Sequence, residues 1–355
     1  MRIGWVSTSD GSSGGAERGG VVLRYRIARR LEQGSPRSPV LRGLAAIWEH
    51  GADPVRPVPL SAAARVIGVG GATLGGAGKT PTVLALARAL PGPVAVVASA
   101  YAAPRTRARV VRPDDDVSET GDEPLLLARA LSGARVPTVL GTNRAEAIRL
   151  ALTLAETVIV DGLLQTRPQR LGHSLLVLDA TQPWGSGRCP PAGDLRARPE
   201  RLLDASEAVL LCDDPALPGA VGLAGRTYGG PVFRAESEVL GAIAPGGQRV
   251  GLGELVKLRL GLVLAIARPE RVERSLRVRG VVPASVKFFA DHCAPKPWSG
   301  RLGGAPQPAE RGLDAWLTAS KCATKLGDRF EGAPVWVLDH RLSLPAALID
   351  LCATN

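Results

Sequence analysis

The stretch RVIGVGGATLGGAGKTPTVLALARAL, residues 65–90, constrains this chain more than any other. A β-branched apolar run passes through a glycine-rich turn into a run of helix formers. Strand, loop and helix in that order form the setting in which backbone N–H groups converge on phosphates at a helix N-terminus. The candidate cradle is Thr73, Leu74, Gly75, Gly76, Ala77, Gly78, Lys79 and Thr80, with Thr73 where the general G-x-x-x-x-G-K-[ST] pattern has its first glycine. Its glycines permit conformations closed to residues with a Cβ. Lys79 is placed to reach the β- and γ-phosphates of a bound nucleotide, and the Thr80 hydroxyl to ligate Mg²⁺. Pro81 falls in the first helical turn, where a missing N–H is harmless.

Apolar strands and helices alternate from 65 to about 215. Strands are expected at 65–69, 94–99, 136–140, 157–160, 174–179 and 208–214, and helices at 80–90, 123–131 and 144–155. That alternation predicts an α/β fold of P-loop NTPase type, a parallel sheet with helices on both faces and its ligands at the carboxyl ends of the strands. Asp161 ends the run TVIV and stands where an acid completes a Mg²⁺ site. Guanine recognition of the N-K-x-D kind is disfavoured, because the two asparagines, Asn143 and Asn355, lie in no such motif.

Residues 215–250 are rich in Pro and Gly and read as a hinge. The remainder, 236–355, reads as a smaller C-terminal α/β domain, with strands in LGLVLAIA, ASVKFFADH and PVWVLD and a helix near GLDAWLTASK. The core then covers 21–235. Residues 1–20 are Gly/Ser-rich, lack the apolar segment of a signal peptide and are expected to be disordered. Two helices follow, at 21–33 and 38–51. The second gathers Val40, Leu41, Leu44, Ile47 and Trp48 on one face, the pattern of a surface helix or of one lying on a membrane.

The net charge of +11 favours anionic partners, yet only 4% of residues are aromatic and no nucleic-acid motif is present. An anionic membrane surface or anionic substrate is the better fit, and nucleic acid is not expected. Five scattered cysteines without C-x-x-C spacing predict free thiols and no zinc site.

The motifs together resemble the tetraacyldisaccharide 4′-kinases. TLGGAGKTP (73–81) matches that family's T-x-G-G-T-G-K-T-P, which begins with Thr. GDEPLLLAR (121–129), VPTVLGTNRAEA (136–147), PPAGDLR (190–196), ARPERV (267–272) and ADHC (290–293) resemble further family segments in family order. The resemblance implies transfer of the ATP γ-phosphoryl group to the 4′-hydroxyl of a tetraacylated glucosamine disaccharide 1-phosphate, giving lipid IVA. It also implies a peripheral protein on the cytoplasmic face of the bacterial inner membrane, and two lobes joined by a two-stranded hinge. Asp122 falls on the family's catalytic acid and His292 on the histidine that supports it. Arg188 and Arg196 are candidate contacts to an anionic group.

Three segments depart from the family. D-D-G-L-Q-H is DGLLQT (161–166), keeping Asp161 and Gln165 but with Gly162 and Thr166 in place of an acid and a histidine. S-R-G-Y-G is ASAYAA (98–103), keeping Tyr101, and T-T-E-K-D is TASKCA (318–323), with Cys322 at the acid. A kinase of a soluble small molecule and a weakly active ATP-binding paralogue are the alternatives these departures leave open.

Overall fold

Alternate residues along the central strands belong to different hydrophobic clusters, which is what places helices on both sides of the sheet. Along β3 (Val94–Ser99), Val94, Val96 and Ala98 pack into one cluster while Ala95 and Val97 pack into another. Along β8 (His173–Asp179), Leu175 and Val177 join the first cluster and Leu176 and Leu178 a third. Strands buried on both faces carry no polar alternation, hence the continuous apolar runs of the sequence.

The computed structural model describes residues 30–32, 34, 38–60, 65–99, 106–166, 171–289, 291 and 312–354. The disorder expected of 1–20, most of the expected helix 21–33, Tyr101 and His292 lie outside them. The described residues form one sheet of 14 strands. Its first group comprises β2 (Arg65–Gly71), β3, β4 (Arg109–Val111), β5 (Thr138–Gly141), β6 (Thr157–Asp161), β8 and β9 (Ala208–Asp213). The second comprises β10 (Val232–Ile243), β11 (Arg249–Gly251), β12 (Leu260–Leu264), β13 (Ser285–Phe288), β14 (Ala315–Thr318), β15 (Arg329–Phe330) and β16 (Ala333–Ser343). The order is β13-β12-β14-β16-β10-β9-β8-β2-β6-β3-β5-β4, with β11 on β10 and β15 on β16. A separate pair, β1 (Val55–Arg56) and β7 (Gln165–Thr166), runs parallel beside it.

The sheet is mixed rather than wholly parallel. The edge strand β4 is antiparallel to β5, and β10 is antiparallel to β16 from Glu236↔Ser343 to Ile243↔Val337. Much of the Pro/Gly-rich 215–250 region is therefore strand, and β10 and β16 carry the sheet from one group of strands to the other. The final helix, Ala346–Ala353, follows this crossing and buries Leu348 and Cys352 in the first cluster, which also holds Val83 and Leu86.

GLDAWLTASK is not helical where expected. Ala315–Thr318 is strand β14, parallel to β12 and to β16, and a short helix starts only at Ser320. All four strand residues are buried. A brief apolar run enclosed on both faces has no period by which helix and strand differ. Trp316 fixes the choice by packing edge-on against Phe330, their ring centroids 5.2 Å apart.

Candidate active site

The carboxyl end of β2 opens into the 72–78 loop, and the helix Lys79–Ala89 follows. Gly78 caps that helix at φ +91°, left-handed backbone that a side chain would strain. Gly75 is required for a different reason: a Cβ there would lie 2.6 Å from the Ala267 Cβ. Residues 267–268, between β12 and the helix Pro269–Val278, thus press directly on the loop. The Thr73 hydroxyl donates to the Gly75 carbonyl at 2.7 Å, so the threonine that stands for a glycine folds the loop from inside.

Asp161 ends β6, the strand beside β2, in register with Val69. The Thr80 hydroxyl donates to Asp161 Oδ2 at 3.3 Å. Burial pushes the Asp161 carboxyl up to about 6, and the charge of Glu123 adds to the shift against the opposing pull of Lys79, Arg144 and Thr80. Lys79 is shifted down, first by desolvation and then by Arg196, with Asp161 and Glu123 opposing. A buried acid whose charge is poorly compensated, one hydroxyl away from the loop, is a fitting donor set for Mg²⁺. That ion keeps several waters and takes one or two protein oxygens plus phosphates.

Asp122 is buried at the start of the helix Asp122–Leu131, after Gly121 at φ +81°. Its Oδ1 accepts from the Glu123 N–H at 3.0 Å and its Oδ2 from Lys325 Nζ at 2.8 Å. Next to it, Lys321 Nζ donates to Glu123 Oε1 at 3.1 Å and to Asp291 Oδ1 at 3.0 Å. Burial works against the Lys321 charge, but Asp291, Glu123 and Asp122 outweigh it and hold the ammonium above its ordinary range. His292 is outside the described residues; Asp291 before it touches the site, with Oδ2 3.3 Å from where a Gly75 Cβ would stand.

The 188–196 loop is the site's brace. Arg196 Nε donates to the Thr73 carbonyl at 2.8 Å and Nη2 to the Leu74 carbonyl at 3.1 Å, so this arginine holds the phosphate loop's backbone. Arg188 faces Glu49 of the helix Pro39–Gly51 at 3.9 Å. Asp194 accepts from Ser186 and from Arg268 Nη2 at 2.8 Å, and Arg271 Nη1 donates to Asp179 at the end of β8 at 2.8 Å.

Two of the three departing segments, 161–166 and 318–323, have structural roles. Gly162 stands at φ +77°, where an aspartate would be strained, and its carbonyl accepts from Arg144 Nη1 at 2.9 Å. Gln165 Oε1 accepts from the Thr166 and Leu171 N–H groups. Cys322 is buried, and its Sγ accepts from the Ala265 N–H at 3.1 Å. Glu123 and Asp291 lie inside the family-like segments GDEPLLLAR and ADHC, whereas nothing in the sequence distinguishes Lys325 from an ordinary surface charge.

The structure thus brings Lys79, Thr80 and Asp161 together beneath one loop, with Asp122 and its lysine beside them. A family model described as LpxK, tetraacyldisaccharide-1-P 4′-kinase, matches residues 41–354. A tetraacyldisaccharide 4′-kinase of Bradyrhizobium diazoefficiens is 34% identical over 90% of this chain and 93% of its own length. One of Acidithiobacillus ferrooxidans is 34% identical over 77% of this chain and 82% of its own. Among solved structures, LpxK from Aquifex aeolicus, described as an "apo" form in complex with ATP, is similar in fold. It has a TM-score of 0.62 and 22% identity, over 93% of this chain and 98% of that one.

Proposed function

Because this chain belongs to the tetraacyldisaccharide 4′-kinase family, we propose that its ATP-dependent transfer to lipid runs through Lys79, Thr80, Asp122 and Asp161. The activity is that of an ATP-dependent lipid kinase, phosphorylating the 4′-hydroxyl of tetraacyldisaccharide 1-phosphate to give lipid IVA. The observation that carries the residue roles is the unbroken Gly78–Lys79–Thr80 run, with Thr80 hydrogen-bonded to Asp161, inside that family's fold.

In this reading the loop from Thr73 to Thr80 wraps the ATP phosphates, and Lys79 neutralises charge on the β- and γ-phosphates. Thr80 and Asp161 would hold Mg²⁺, which supplies charge neutralisation to the phosphate oxygens. Asp122 accepts the hydrogen of the sugar 4′-hydroxyl and orients its oxygen. That oxygen bonds to the γ-phosphorus as the bond to the β–γ bridging oxygen breaks, and ADP leaves. His292 supports Asp122, as the family resemblance implies. Positioning and electrostatics outweigh the proton acceptor in such a loose transition state.

The helix Pro39–Gly51 supports binding to a membrane surface. It buries Ala45 and Glu49 and leaves Val40, Ile47 and Trp48 69%, 71% and 41% exposed. A helix that turns Glu49 inward and leaves its apolar face outward has that face for another phase. No helix of the described residues is long and apolar enough to cross a membrane. We place the protein peripherally, at the anionic cytoplasmic face of the inner membrane.

The test is incubation with Mg-ATP and tetraacyldisaccharide 1-phosphate in micelles, followed by mass spectrometry of the lipid. Wild type should add one phosphoryl group, and Lys79→Ala and Asp122→Ala should each lose about 100-fold or more in rate. An undiminished rate in either variant would remove that residue from the mechanism.

A further inference from the structure

We infer that Lys325 is a positioning residue for Asp122, delivered to it across the cleft from the other group of strands. The inference rests on the reading of Asp122 as the group that orients the acceptor hydroxyl. Among the described residues, one oxygen of the Asp122 carboxylate accepts from the Glu123 N–H and the other from Lys325 Nζ at 2.8 Å. Contacts on both oxygens set the plane of the carboxylate. The side chains are 4% and 14% exposed, a desolvated pair rather than a screened surface one.

The two partners come from opposite sides. Asp122 starts a helix of the P-loop side, whereas Lys325 follows β14 and the short helix Ser320–Ala323. The turn carrying the lysine is pinned: Lys325 N donates to the Cys322 carbonyl at 3.0 Å, and Cys322 Sγ is held by the Ala265 N–H beside β12. Lys321, on the same turn, bridges Glu123 and Asp291. The charged groups around Asp122 include Lys325, Lys321 and the neighbouring Glu123. Lys325 contributes the direct contact that sets the carboxylate's orientation and favours its ionised form. The acid is therefore aligned for the hydroxyl by a residue of the other group of strands, and ATP binding at the loop does not depend on it.

The experiment compares full-length wild type with Lys325→Met, Lys325→Arg, Asp122→Asn and the Asp122→Asn/Lys325→Met double variant, measuring kcat and KM for ATP across pH. Lys325→Met should lower kcat about 10- to 100-fold with KM for ATP unchanged. It should also move the acidic limb of the kcat profile up by about one pH unit or more. Lys325→Arg should return the limb toward wild type and shows that the position tolerates exchange, and in the Asp122→Asn background Lys325→Met should add no further loss. A wild-type kcat and limb in Lys325→Met, beside an inactive Asp122→Asn, would overturn the positioning role alone. A pH-independent loss that Lys325→Arg does not rescue would overturn it too. A fully active Asp122→Asn would instead remove the reading on which the inference stands.

Discussion

The Thr80 hydroxyl donates to Asp161 Oδ2 at 3.3 Å because Val69, which leads into the loop, and Asp161 are partners on adjacent strands. One register places the helix start and the acid at the same carboxyl edge of the sheet. The acid is buried and its carboxyl pushed up to about 6 by that burial and by Glu123. Asp161→Asn should therefore raise the stability of the ligand-free protein at neutral pH by about 1–3 kcal/mol, while lowering phosphoryl transfer at least about 100-fold. Melting without nucleotide and the lipid transfer assay check the two halves. A less stable variant, or an active one, would contradict this account of the site.

Gly75→Ala tests the contact between the loop and residues 267–268. With the new Cβ 2.6 Å from that of Ala267, loop and neighbour must separate. KM for ATP should rise about tenfold or more, equivalent to about 1.4 kcal/mol of lost binding. Unchanged nucleotide affinity by calorimetry would show that the loop yields without cost.

Asp214, just after β9, takes hydrogen bonds from Arg279 at 2.6 Å and from Ser275 at 2.5 Å. Burial raises its carboxyl, but the bonds from Arg279, Ser275 and the Ala216 N–H outweigh it and hold the group below its ordinary value. A native acid with a depressed pKa stabilises the fold above the unfolded value of about 4 and loses that contribution as pH falls through the native one. Asp214→Asn should cost about 3–5 kcal/mol near neutral pH, since it leaves Arg279 without its buried counter-charge. The gap to wild type should narrow as pH falls below about 4. Urea unfolding across that range checks it; a gap that widened would reverse the sign.

Ile47→Asp and Trp48→Ala test the exposed helix face. Both should abolish flotation with anionic vesicles, yet change stability by no more than about 0.5 kcal/mol, because Ile47 and Trp48 are exposed and belong to none of the buried clusters among the described residues. A loss of stability with flotation intact would mean that the face is buried against the protein's own chain.

The sequence made the phosphate loop legible because Thr73 to Thr80 carry their chemistry in a contiguous run, and β3 was read to its residue bounds, Val94–Ser99. Asp161 was legible for the same reason, at the end of an apolar run. What escaped was long-range. Lys325 meets Asp122 over 203 positions and Arg196 meets Thr73 over 123, and no local pattern encodes such partners. Arg196, a candidate contact for an anionic group, holds two loop carbonyls, a role no local pattern announces. β14 was misread as helix because four buried residues have no polar face to set a period.

The most direct measurement of the central claim is where the phosphorus goes. ATP labelled in its γ-phosphoryl group is incubated with the protein and tetraacyldisaccharide 1-phosphate, and the lipid product is examined by phosphorus NMR and mass spectrometry. The account predicts the label in a new phosphomonoester on the 4′ oxygen, dependent on Lys79 and Asp122, with the anomeric phosphate unchanged. Label found only in free phosphate, or on any other oxygen of the disaccharide, would contradict it.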